Sequence, residues 1–462
     1  MSNEREYVPL RVILPVTSIG VFMSALDGSI VNVALPTIAN AYNTNIDGIK
    51  WVVIVYLLMV TSLIGIAGSF GDTYGRKKVF QGGMVIFAFG SFLCSISTNL
   101  VALSAARALQ AIGGAALQAN GLALVVTYIN PQIRGRAIGI NSLVVASALT
   151  IGPPLGGVLT DYFGWPSIFL INIPIGIIGI IAVQLKIDET ERKDLGRLDY
   201  TGMVLFAVTS FALVTGISIP NYPLPSIGLV VFSLITGYLF IKSEQKQANP
   251  ILSIKIMKQR QITFGAFSAV FAYMGLNTLI FLLPFYFQDI KGFSETKTGI
   301  YLVVFPIALT IMGPPTGFLA EKIKAKKLAS FGAGIETLVV LILGILFYNM
   351  RDKIPVAYIL LLGGLTAAFL SVFTNSNGTS VMNASEKENL SIVSGIIGLS
   401  RNIGFTLGVT ISSTIFNATN PDVNKPASYT KGLGITYMLV SIFIFIGMII
   451  SLNRGQEIVK EY

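Results

Sequence analysis

A carboxylate, a guanidinium and an amide define the chemistry open to this chain. Asp27 lies in the first long apolar run, within Met23-Ser-Ala-Leu-Asp-Gly-Ser-Ile-Val-Asn-Val-Ala-Leu-Pro36. Facing hydrocarbon, such an acid costs at least ~2.5 kcal/mol, so it is expected to border a cavity and bind a proton, a cation or a substrate. The competing reading is a locked ion pair. Arg107 and Gln110 share the fourth apolar run with Gly114, Gln118 and Gly121. At ~100° per residue these fall on one narrow stripe, which is expected to face a wet cavity. At ~1.5 Å per residue, Asp27 lies ~24 Å from one surface and Arg107 ~10 Å from the other. In a bilayer of ~30–40 Å both sit in the same half and can interact across one cavity. A nearby guanidinium favours the ionised carboxylate, whereas loss of water disfavours it. A substrate that shifts this balance would release a proton.

The chain has no histidine, so proton traffic must use carboxylates. Glu336 is a second intramembrane acid and Arg401 a second intramembrane cation. Each starts about ten residues from the surface, at ~14–17 Å depth. Glu336 could pair with Arg401, bind protons, or face the inserted spans. No metal-ligand cluster, nucleophile elbow or phosphate-binding loop is visible in the sequence. Neither an enzyme nor a self-contained ATP-driven pump is expected, and the expected energy source is a proton gradient with no cofactor.

The elements that must position these residues follow from composition. Of 462 residues, 53% are hydrophobic and 12% charged, whereas soluble chains carry ~25% charge. This is an all-α polytopic membrane pattern. The net charge of +10 sits in short loops, which reads as membrane orientation rather than nucleic-acid binding. The single cysteine, Cys94, precludes an intrachain disulfide. Fourteen runs of about 20 apolar residues are expected as transmembrane helices. With both termini in the cytoplasm, cytoplasmic segments hold a roughly threefold excess of Lys and Arg. Lys50 is assigned to an outer loop in this count.

Gly68-Ser-Phe-Gly-Asp72 before Arg76-Lys77-Lys78 has an echo in Gly317-Phe-Leu-Ala-Glu321 before a second basic loop. Two related six-span halves are expected. They are residues 1–190 and 255–462, with an inserted span pair and its cytoplasmic linkers over 191–254. Gly71 and Gly75 are expected to turn the chain between spans. With Gly68, Asp72, Arg76 and Lys77 they form a candidate latch between the halves. In the fifth span Gly152, Pro153, Pro154, Gly156 and Gly157 combine a close-packing face with lost backbone donors. They are expected to form a rocking bend, echoed by Gly313-Pro-Pro-Thr-Gly317.

These segments resemble the signature motifs of the major facilitator superfamily, specifically its fourteen-span drug:proton antiporter branch. Leu26 to Pro36 is similar to the first-span motif, and Gly68 to Phe80 to the loop motif. Arg107 to Gly113 resembles the proton-transfer motif, and Gly152 to Gly157 the antiport motif. Trp165 to Gly176 and Arg401-Asn-Ile-Gly404 also fit. Ala111, Ala148, Pro166 and Glu321 depart from the usual residues, and Tyr301 to Met312 lacks the acid found in relatives that export divalent cations.

The resemblance implies a plasma-membrane exporter of lipophilic, monovalent cationic drugs or dyes in exchange for protons. Its working partners are the substrate, protons and the bilayer, and a monomer is expected to suffice. A lipid or lipid-linked-molecule exporter or flippase on the same fold is the alternative reading, and a passive facilitator or sensor a third.

Overall fold

The computed structural model describes residues 9–130, 133–188, 199–220, 222–247, 254–386, 389–419 and 426–455. Among the described residues, fourteen helices are long and apolar enough to span a membrane. The first six are α1 (Leu10–Ala41), α2 (Ile46–Tyr74), α3 (Arg76–Ser95), α4 (Leu100–Val125), α5 (Gly139–Phe163) and α6 (Ser167–Lys186). Next come α7 (Thr201–Ser218) and α8 (Pro223–Glu244). The rest are α9 (Arg260–Ile290), α10 (Glu295–Ala320), α11 (Ala325–Lys353), α12 (Val356–Asn383), α13 (Ile392–Thr419) and α14 (Ser428–Leu452). This is the expected architecture of two six-helix repeats and an inserted pair.

Local chemistry sets the helix ends. Asn45, Asn99, Asp199 and Ser294 each accept a hydrogen bond from a first-turn amide, which satisfies an otherwise orphaned donor. The turn between α2 and α3 is a single residue, Gly75, at φ 103°, where a side chain would be strained. Gly71 does not share the turn, contrary to expectation. It stays helical and packs against the Asn120 side chain.

The inserted helices α7 and α8 pack mainly on each other, and α7 also touches α2 and α13. Leu224, Leu234 and Tyr238 of α8 point outward. Lys50, expected in a loop, is instead buried in α2. It pairs with Asp47 and donates to the Ser218 carbonyl at the end of α7, so its charge fastens the inserted pair.

Three apolar clusters describe how the halves meet. One joins them, with Ile30, Val33, Ile49 and Val52 packed among Leu279, Phe281, Val409 and Phe416. The part of it that joins the halves occupies the end away from the Arg76–Lys78 loop. Towards the basic loops, Ile13, Phe80, Met84 and Leu124 form a core within the first half. Ile262, Ala266, Val381 and Val393 form a separate core within the second. The halves are therefore closed together at one face and apart at the other. Open space beside Gly378, Gly395 and Gly398 lies on the separated side.

Glycine permits the closed end to form. A Cβ on Gly156 would meet Ile30 of α1 at 2.7 Å, and one on Gly157 would strike the Glu295 carbonyl of α10. Gly299 lies equally tight against the Pro153 carbonyl. The expected bend region is thus a spacer that seats α5 between α1 and the second half. The echo is not packed in this way, since Gly317 has open space around it. Around the spacer, Thr37 donates to Glu295 at 2.7 Å, Gln288 to the Val33 carbonyl at 2.8 Å, and Thr296 to Asp161 at 2.7 Å.

Gly157→Leu is expected to force this end open. In a Cys94→Ala background, Val33→Cys should then react several-fold faster with an impermeant maleimide added at the face opposite the basic loops. Unchanged labelling would mean that the α5–α10 contact does not hold the closure.

Candidate functional site

Asp27 and Arg107 meet directly. Both are buried, and Arg107 Nη1 lies 2.6 Å from Asp27 Oδ2. Gln110 Nε2 donates to Asp27 Oδ1 at 2.8 Å, and Asn172 Nδ2 donates to the same oxygen at 3.2 Å. The carboxylate thus accepts from three side chains. Arg107 also donates to Gln110 Oε1 at 2.6 Å and to the Val52 carbonyl at 3.3 Å. Its guanidinium lies 4.1 Å from the Tyr56 ring centroid and 5.7 Å from that of Phe169. Gln110 reaches on to Ser91 Oγ at 2.7 Å. Five helices, α1, α2, α3, α4 and α6, therefore converge on one ion pair.

The expected wet stripe on α4 is corrected by this geometry. Arg107 and Gln110 are shut inside the helix bundle, where protein groups replace water as their partners. Gly114 packs against the Tyr56 hydroxyl and Gly121 against Val21 and Phe80. Only Gln118 extends the polar chain, donating to Ser24 Oγ at 3.0 Å, and Ser24 in turn lies 3.4 Å from the Tyr56 hydroxyl. Asp27 does not reach across a cavity. Its neighbour Gly28 is exposed, so the network stands one residue behind an open surface.

Asn172, Ser91 and Phe169 were not assigned to the site from sequence. The available signal for Asn172 was an amide in the apolar run Phe169-Leu-Ile-Asn-Ile. The identity of its partner depends on how α6 lies against α1, which the run does not encode.

Asp72 and Arg76 of the latch bond within the first half. Arg76 Nε donates to Asp72 Oδ1 at 2.8 Å, while its Nη1 reaches the Ala123 carbonyl at 3.0 Å and Thr127 Oγ1 at 2.7 Å. Lys77 is buried and Gly68 faces Ala119. These contacts of Arg76, Asp72 and Gly68 stay within the first half, in keeping with the separation at this face. The side chain of Glu321 lies outside the described residues.

Glu336 and Arg401 do not pair. Arg401 is exposed at mid-span, whereas Glu336 is fully buried with neither carboxylate oxygen hydrogen-bonded. Nor does Glu336 face the inserted helices, because α11 packs on α14 and α12. The Asp27 network and Glu336 therefore belong to different halves.

A family model described as Major Facilitator Superfamily matches residues 17–409 and 265–454. The chain is 31% identical over 448 residues to the riboflavin transporter RibZ of Clostridioides difficile (strain 630), covering 95% of this chain and 96% of that protein. It is 29% identical to the multidrug resistance protein Stp of Mycobacterium tuberculosis (strain CDC 1551 / Oshkosh), covering 87% and 75%. Among solved structures, it resembles a bacterial homologue of the human lysosomal transporter Spinster in an inward-facing, occupied conformation. The TM-score is 0.73 at 14% identity, with 96% of each chain covered.

Breaking a buried pair strands a charge and costs about 3–5 kcal/mol. Arg107→Ala is expected to lower the unfolding midpoint in detergent accordingly. Asp27→Asn should cost less, because an amide oxygen can still accept from Arg107. The double variant should lose less than the sum, and strictly additive losses would mean that the two side chains do not interact.

Proposed function

Because the chain belongs to the Major Facilitator Superfamily, we propose that it exports small lipophilic molecules, monovalent cationic drugs and dyes among them, in exchange for protons. It is a multi-pass membrane transporter, not an enzyme. The observation that carries the antiport reading is the buried Asp27–Arg107 pair with its Gln110 and Asn172 donors. An ionised carboxylate there is compensated only while the guanidinium stays in contact. A proton on Asp27 cancels its charge and frees Arg107, so proton occupancy and helix packing are linked.

The excess of Lys and Arg supports placing the basic loops, and both termini, in the cytoplasm of a cell whose plasma membrane holds the protein. The described conformation is then open inward. In the proposed cycle, substrate enters from this side while Asp27 is paired with Arg107. The closed end opens, Asp27 takes a proton from outside, and substrate leaves. The protonated form returns inward and releases the proton, restoring the pair. The Gly75 turn and the Asp72–Arg76 pair are positioned to re-engage the second half when the cytoplasmic side closes.

A second substrate class is favoured by one observation. Among the described residues inside the spans, Asp27 and Glu336 are buried while Arg401 is exposed. An exposed cation repels a cationic drug and suits a neutral or anionic planar molecule, as the name of the riboflavin-transporting relative also suggests.

The test is uptake into inverted vesicles with an acid interior, using ethidium and riboflavin as probes. Accumulation of either probe that collapses with the gradient is expected, and Asp27→Asn should abolish it. Arg401→Gln should raise ethidium and lower riboflavin accumulation several-fold. Gradient-independent equilibration of both probes would support a passive facilitator. Transport of neither by folded protein would favour the lipid reading.

A further inference from the structure

Glu336 is the second acid inside a span, and the cycle above leaves it unused. It lies on α11, fully buried, with both carboxylate oxygens unpartnered. A charge there would have neither water nor a counter-ion. The fold makes room for it. On α9, Gly275 faces the carboxyl so closely that a Cβ would come within 2.7 Å of Oε1, and Ile444 of α14 meets the same notch at 2.6 Å.

Few titratable groups surround it. From α9, the Tyr273 phenol bonds to Thr374 of α12 and lies within electrostatic range of both Glu336 and Arg401. The span α12 has no charged residue. The only charge on α14 is Lys431, near its far end. Glu321 and Lys322 close the basic end of the helix Val304–Lys322. On α11 itself, Lys326 and Lys327 lie nine or ten residues away, ~14 Å along the axis. Tyr273 is thus the link between the acid and the exposed cation of the open side.

On the closed side a second set of polar groups leads outward. Tyr437 follows Ile444 back along α14 by seven residues, ~10 Å and on the same face. Tyr437, Tyr286 and Tyr429 are fully buried, and none of their hydroxyls has a hydrogen-bond partner. Phe347 packs between two of them, tilted against Tyr437 at 5.6 Å and edge-on to Tyr286 at 5.0 Å by ring centroids. Tyr286 opens a π-helical turn, Tyr286–Ile290, that carries the exposed Asp289 to the surface. Such turns are frequent at functional sites, and buried unpaired hydroxyls call for an explanation.

We propose that Glu336 is a second proton-binding site, loaded from the face opposite the basic loops past Tyr286 and Tyr437, and coupled to substrate through Tyr273 and Arg401. The carboxyl gains the proton as an O–H bond and returns it as the carboxylate. No other bond changes. This proposal rests on the antiport reading and adds a stoichiometry: two protons for each substrate, one in each half.

The full-length protein in liposomes decides the ratio, with ethidium as probe and with pH gradient and voltage imposed separately. The wild type is expected to move about two protons per ethidium and to respond to voltage. Glu336→Gln should move about one and lose the voltage response. If that variant does not fold, Glu336→Leu, whose apolar side chain suits the site, gives the same readout. Infrared spectroscopy of purified protein provides a measure independent of transport. A protonated-carboxyl band at neutral pH should persist in Asp27→Asn and vanish in Glu336→Gln. A wild-type ratio of one, or no such band, would overturn the proposal. Absence of any gradient-driven flux would sink the antiport reading, while the band alone would still decide whether Glu336 carries a proton.

Discussion

A charge inside a membrane needs a partner, and the first half of this protein is arranged around that requirement. Asp27 has one guanidinium and two amides in place of water. Each donor comes with its own demands. Arg107 needs the Val52 carbonyl and the Tyr56 ring, and Gln110 needs Ser91. Satisfying one carboxylate thus fixes the packing of five helices. Of the described groups around the carboxylate only Asn172 Oδ1 lacks a partner, and in so low a dielectric each unpaired group is costly, so a proton on Asp27 would change the balance that holds this packing.

The two membrane faces express a matching division of labour. At the closed face, glycines let backbones touch across the halves, and short polar side chains such as Thr37 and Thr296 complete the contact. Beside these contacts lies the apolar cluster that joins the halves, with Ile30, Val33, Ile49 and Val52 against Leu279, Phe281, Val409 and Phe416, and it must part when this face opens. At the basic face each half keeps its own apolar core. The halves can part there without loss of internal packing. Rocking would therefore split the joining cluster while leaving the separate core of each half intact.

Much of this was legible in the sequence. Run length and charge placement identify fourteen spans, because lipid demands continuous helices. Depth counting put Asp27 and Arg107 at one level, and the structure places them in contact. Which residues become neighbours is less legible. Helical periodicity assigned Gly114 and Gly121 to a wet face, but which face of α4 meets α1 and α2 depends on tertiary packing. Lys50 reads as a loop cation because charge usually stays out of spans, yet a half-exposed Asp47 partner and the end of α7 hold it inside. Glu336 and Arg401 share a depth but not a face, and depth alone does not distinguish contact from separation.

The central claim is that Asp27 exchanges its proton for substrate. The most direct measurement is the proton release that accompanies ethidium or riboflavin binding to purified protein in weakly buffered detergent. The account predicts release on binding to the wild type, and a loss of Asp27-dependent release in Asp27→Asn with binding retained. Equal release from both proteins would contradict it and move the exchange away from the Asp27–Arg107 pair.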